Sequence, residues 1–156
     1  MTNSRFSNVV GVALLAMTIV SIPATAQSDH DRACSVATLN GTFGLHASGI
    51  RPIPGSNQTE THSTLARRSY DGKGGLKSWP VVSQGQVSGL TEGTGTVQNG
   101  TYEVNPDCTG QTTLTIVTSN GSVQLNARFV IVNRGLEIIE VPVTPGNIAV
   151  ARLQRQ

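Results

Sequence analysis

Val123-Gln124-Leu125-Asn126-Ala127-Arg128-Phe129-Val130-Ile131 alternates side-chain character more cleanly than any other stretch of the chain. An extended backbone sends successive side chains to opposite faces. Val123, Leu125, Ala127, Phe129 and Ile131 therefore share one apolar face, turned away from Gln124, Asn126 and Arg128. The pattern predicts a half-buried β-strand, and its neighbours in sequence predict that it is one of several. Ser119-Asn120-Gly121-Ser122 before it is a hairpin signal, because Asn and Gly tolerate positive φ. Asn133-Arg134-Gly135 after it turns the chain again, into an apolar run over 136–143; Pro145-Gly146 then leads to a last strand over 148–153.

Working back towards the N-terminus, the same grammar repeats. Residues 111–118 and 101–105 read as strands around the turn Asn105-Pro106-Asp107-Cys108-Thr109-Gly110. Asp71-Gly72-Lys73-Gly74-Gly75 is a strong hairpin signal between a Thr-rich run over 59–70 and a return strand over 76–83. Pro80 lacks an N–H for the ladder, which marks its position as an edge or a bulge. Phe43, Leu45 and Ala47 alternate with Thr42, Gly44, His46 and Ser48, and residues 49–57, with two prolines and two glycines, read as a loop. The glycine-dotted stretch over 86–98 has the weakest strand signal. Beyond the leader described next, an apolar i, i+3, i+4, i+7 pattern never persists for a helix's length. The fold class is all-β: an antiparallel up-and-down meander of eight or nine strands, closed or nearly closed into a barrel, with a β-sandwich as the alternative. Barrel closure is preferred because no long Greek-key connection is evident.

The first 26 residues read differently. Arg5 is followed by an apolar run over 9–22, Pro23, and the small-residue triplet Ala24-Thr25-Ala26. This is the layout of a secretory signal peptide, with cleavage between Ala26 and Gln27. The apolar run is shorter than the ~20 residues that cross a bilayer. Gln27 rather than Cys follows the expected cut, so the residue a bacterial lipoprotein would acylate is missing. The expectation is a bacterial chain exported to the periplasm or medium, one domain over 27–156, with no membrane insertion after processing.

Lys and Arg number 11 against nine Asp and Glu, and the longest basic run is Arg67-Arg68. That balance gives no electrostatic footprint for nucleic acid. Cys34 and Cys108 are the only cysteines, and export places them where thiols pair, so they are expected to form a disulfide.

Three segments carry a resemblance: Cys34 with Leu39-Asn40-Gly41-Thr42-Phe43-Gly44; Tyr70-Asp71-Gly72-Lys73-Gly74; and Gly100-Thr101-Tyr102-Glu103-Val104-Asn105-Pro106-Asp107-Cys108-Thr109-Gly110. Together they resemble a group of small secreted bacterial proteins of unassigned function with a C…LxGT[FY]G, FDGxG and GTYxVxxDCxG layout, Tyr70 standing where that group usually has Phe. The strand spacing also looks like that of calycin-type barrels, with allene oxide cyclase a distant relative in shape. The resemblance implies architecture and carries over no active site.

Chemistry-bearing residues are sparse. His30 lies in a polar tail. His46 and His62 fall on predicted strands, where two imidazoles with Glu60 or Glu103 would make a metal or acid–base site inside a barrel; parity instead puts His46 on the polar face with Thr42 and Ser48. Glu137 and Glu140 cannot share one face of a regular strand. Glu103 and Arg128 read as an ion pair, in the lumen or outside it. Neither a G-x-S-x-G serine nor a phosphate-binding loop is present, and no catalytic residue, metal ligand or cofactor is assigned. The leading expectation is a barrel that binds a small, partly apolar molecule, with His46, Glu103 and Arg128 as candidate polar anchors. The alternatives are an allene oxide cyclase-like isomerase, which would use the same anchors around a confined substrate, and a non-catalytic structural or interaction protein of the envelope.

Overall fold

The alternating runs pair with one another almost entirely in chain order. In the computed structural model, which describes residues 33–53, 56–93, 96–118 and 121–156, the strands are β1 (Asn40–Pro52), β2 (Thr59–Asp71), β3 (Gly75–Gly85), β4 (Gly89–Glu92), β5 (Gln98–Val104), β6 (Thr109–Thr118), β7 (Gly121–Val132), β8 (Glu137–Pro142) and β9 (Ile148–Arg155). The expected leader and its processing site at Ala24, Ala26 and Gln27 lie outside the described residues. The sheet order is β2-β1-β9-β8-β7-β6-β5-β3-β4, and β2 also pairs with β3. Eight antiparallel strands therefore close into a barrel, and β4 is an extra strand on the far end of β3. Closure gives each barrel strand a partner on both sides, which removes the exposed edges an open meander would leave.

Parity and turns act largely as the sequence predicts, and the boundary that matters most for the lumen has moved. The expected loop over 49–57 begins only after Pro52: Gly49 pairs with Ala149 and His62, and Arg51 pairs with Glu60. Cross-strand pairing on both sides outweighs the local turn propensity of Gly49 and Pro52. Pro80 lies at a register shift, where Ala66 faces Pro80 and Leu65 faces Val82, leaving Val81 as the bulged residue. At the β2–β3 hairpin, Asp71 Oδ1 accepts from the backbone N–H of Lys73 at 2.7 Å and of Gly75 at 2.9 Å, while Gly72 and Gly74 take φ of 73° and 104°.

The barrel is packed solid at one end. Phe43, Tyr70, Leu76, Tyr102, Phe129, Ile131, Ile138 and Leu153 fill it, with the Tyr70 ring edge-on to Phe43 and Tyr102 at centroid distances of 5.4 and 5.0 Å. A 3-10 turn, Val36–Thr38, and the fully buried Leu39 belong to this end, and the Tyr102 hydroxyl lies 2.9 Å from the carbonyl oxygens of both Val36 and Leu39. The Cys34–Cys108 disulfide ties the segment down. Two motif glycines owe their identity to close approach here. A Cβ on Gly110 would collide with the Glu103 carbonyl and the Phe129 ring, and one on Gly100 with the Thr113 carbonyl.

Candidate functional site: the hollow half of the lumen

Towards the other end the inward side chains become small. Along β1 the inward series runs Phe43, Leu45, Ala47, Gly49. Leu153, Ala151 and Ala149 stand beside Leu45, Ala47 and Gly49 on β9. The space they leave is a partly open cavity of about 300 Å³. Its wall is largely apolar, with Leu45, Ala47, Ala66, Pro80, Leu114, Ile116, Leu125, Ala149 and Ala151 contributing.

Two polar assemblies interrupt that wall. Where the cavity meets the packed end, Arg68 of β2 donates from Nη1 to Glu140 Oε2 of β8 at 2.6 Å, and both side chains are almost wholly buried. Thr112 Oγ1 donates to the same carboxylate oxygen at 3.2 Å, and the Tyr70 hydroxyl lies 3.4 Å from Arg68 Nη1. Burial, the largest single influence, opposes the charge on Arg68, but the Glu140 carboxylate and the Tyr70 hydroxyl together outweigh it, and the guanidinium stays protonated. Burial likewise pushes the Tyr70 phenol up to about 12.

The second assembly involves Arg51, Ser83, Thr64 and His62, with Glu60 behind them. Glu60 accepts from the backbone N–H of Ser88 at 2.9 Å and of Val87 at 3.0 Å, from Ser88 Oγ at 2.7 Å and from Arg51 Nε at 2.9 Å. Bonds to the charged form favour it. The Ser88 backbone and hydroxyl, with help from Arg51 and Val87, hold this carboxyl down at about 2. Arg51 Nη1 donates to Ser83 Oγ at 2.8 Å, Ser83 Oγ lies 2.9 Å from Thr64 Oγ1, and Thr64 Oγ1 lies 3.2 Å from His62 Nδ1. Partial burial, reinforced by the Arg51 charge and opposed by Glu60, lowers the His62 pKa below its ordinary value, so the ring is neutral at pH 7.

Among the described residues, three buried side-chain polar atoms lack a hydrogen-bond partner: His62 Nε2, Arg68 Nε and Asn147 Oδ1. All three belong to side chains lining this one cavity. Buried polar groups are ordinarily satisfied, so each such exception calls for a reason.

The anchors expected from the sequence are elsewhere. His46 stands on the outer face, where Nε2 meets Ser63 Oγ at 3.1 Å. Glu103 and Arg128 are also exposed, and Gln111 lies between them, donating to Glu103 at 2.6 Å and accepting from Arg128 at 2.7 Å. Strand parity forces this: each alternates with an inward neighbour, Leu45, Tyr102 and Ala127 or Phe129 respectively. The expectation that His46, Glu103 and Arg128 hold a ligand in the lumen is therefore corrected, and the cyclase-like reading loses the anchors it relied on. Of the imagined two-histidine site only His62 and Glu60 are on the inner side, and among the described residues no three His, Cys, Asp or Glu side chains converge as a metal-holding group. Arg51, Arg68, Asn147 and Glu140 were missed as lumen residues. Counting every second residue back from the buried Tyr70 gives Arg68, Ala66, Thr64, His62 and Glu60, the signal that locates most of this set. No family model, curated protein or solved structure matches the chain, so its function is read from the barrel and its lumen alone.

Proposed function

We propose that this chain is a secreted or periplasmic binding protein that holds a small, largely apolar molecule in the hollow half of its barrel. The cavity carries the reading. At about 300 Å³ it matches the lower end of ligand pockets, ~300–1,000 Å³, and is about twice the ~150 Å³ that suffices for benzene in an apolar cavity. Alanines at 47, 66, 149 and 151 maintain the space where larger apolar residues would close it. The leader at the N-terminus and the disulfide support export to an oxidising compartment.

Native mass spectrometry of protein recovered from its own export compartment tests the reading. A retained small molecule is expected on the wild type, and its loss in Ala151→Leu, which fills the cavity from the β9 wall. Wild-type protein that is always empty and takes up no apolar probe refutes it.

A further inference from the structure

The polar atoms around the cavity specify the ligand further than its size does. Arg51 Nη1 donates to Ser83 Oγ, so the single hydroxyl hydrogen of Ser83 is free to pass on to Thr64 Oγ1, 2.9 Å away. Thr64 Oγ1 can in turn donate to His62 Nδ1, 3.2 Å away. Run in this direction, every hydroxyl both accepts and donates; the reverse direction strands the Ser83 hydrogen. In that direction the relay puts the imidazole proton on Nε2, the atom left without a partner. Arg68 Nε, also without a partner, can only donate.

The charges are already matched. Arg68 is paired with Glu140 at 2.6 Å and Arg51 with Glu60 at 2.9 Å. A carboxylate entering the cavity would leave water and find both guanidiniums committed, and an ammonium would meet the same two carboxylates already satisfied. Resting on the binding reading above, we infer that the ligand is an uncharged carbonyl compound, such as a ketone, ester or lactone, whose apolar body fills the alanine-walled space and whose oxygen accepts from His62 Nε2–H or Arg68 Nε–H.

Isothermal titration of the full, disulfide-intact mature chain at pH 7.5 with 2-decanone, decanoate and decylamine tests this. Affinity for 2-decanone is expected to exceed that for either ion by about tenfold or more. Equal or tighter binding of an ion overturns the inference while leaving a binding protein in place; saturation by none of the three overturns both. His62→Phe is expected to weaken 2-decanone about five- to tenfold, and an equally weakened Arg68→Met would place the oxygen near both donors. Unchanged affinity in both variants overturns the assignment of the donors. Long-range proton–nitrogen NMR of the free protein reads the His62 tautomer directly: Nε2–H is expected, and Nδ1–H overturns the relay.

Discussion

The ion pair beneath the cavity offers a quantitative test of the lumen's design. Arg68 and Glu140 are each almost fully buried and approach to 2.6 Å. At an effective dielectric of about 20 their attraction is about 6 kcal/mol, while removing the two ions from water costs several kcal/mol each. The two effects nearly cancel, so the intact pair contributes little net stability, yet breaking it is expensive. Glu140→Leu, which strands a guanidinium that cannot shed its proton, is expected to cost about 3–5 kcal/mol. Arg68→Met should cost less, because Glu140 keeps its hydrogen bond from Thr112 Oγ1. The double variant is expected within about 1 kcal/mol of wild type, or above it. Urea denaturation is the assay, since an uncharged denaturant leaves the ionic strength the same across the titration. Additive single-site costs, or Glu140→Leu within about 1 kcal/mol of wild type, would refute the account.

Three further outcomes are expected from the same structure. Replacing both cysteines by alanine reopens a 74-residue separation and should lower stability by about 4 kcal/mol on the chain-entropy account, with proteolysis near Val36 the first sign of a loosened barrel end; a midpoint unchanged by reduction would contradict it. Stability should fall on acidification. The lowered His62 pKa makes the unfolded chain bind more protons as pH drops below about 6.5, and Glu60, held at about 2, adds a loss between the ordinary carboxylate range and pH 2, as do the turn carboxylates Asp71 and Asp107. Urea midpoints that rise from pH 7 to pH 3 would reverse this sign, and Glu60→Gln should flatten the lower limb. Gly110→Ala should cost about 3 kcal/mol through collision with Phe129 and the Glu103 backbone, and a midpoint near wild type would show that the two strands can part there.

The parts of the fold legible in the sequence are those where one face is apolar and the other polar. β7 shows it best: Ala127, Phe129 and Ile131 are buried and Arg128 and Val130 exposed, so period two appears directly in residue type. The turn aspartate, the paired cysteines and the proline bulge were legible because each has a single dominant local cause. β2 was legible only in part. Its inward residues include Glu60, His62, Thr64 and Arg68, its outward ones Thr61, Ser63 and Arg67, and with both faces polar the alternation vanishes. Arg67 and Arg68 are adjacent and chemically identical, yet one stacks outside over Trp79 at 4.8 Å and the other lies buried against Glu140. Arg51 was hidden by a different effect, the glycine and prolines that made its strand look like a loop.

What period alone cannot reveal, side-chain size along the inward positions can. On β1 the series Phe43, Leu45, Ala47, Gly49 shrinks steadily, and on β9 Leu153, Ala151, Ala149 shrinks beside it in register. Two neighbouring staves that taper in the same direction cannot fill a cylinder evenly, so one end packs around Phe43 and Leu153 and the other stays hollow. Most of the inward polar residues line that opened space, among them His62, Thr64, Arg68, Ser83 and Glu140. The same sequence feature thus sets the division between a packed half and a hollow half, and it assigns the cavity to the fold's construction rather than to an accident of packing. Ala47→Leu with Ala151→Leu should then extend the packed end by one layer, raising the urea midpoint while abolishing uptake of 2-decanone; a lowered midpoint would show that the space is needed for the barrel's curvature instead.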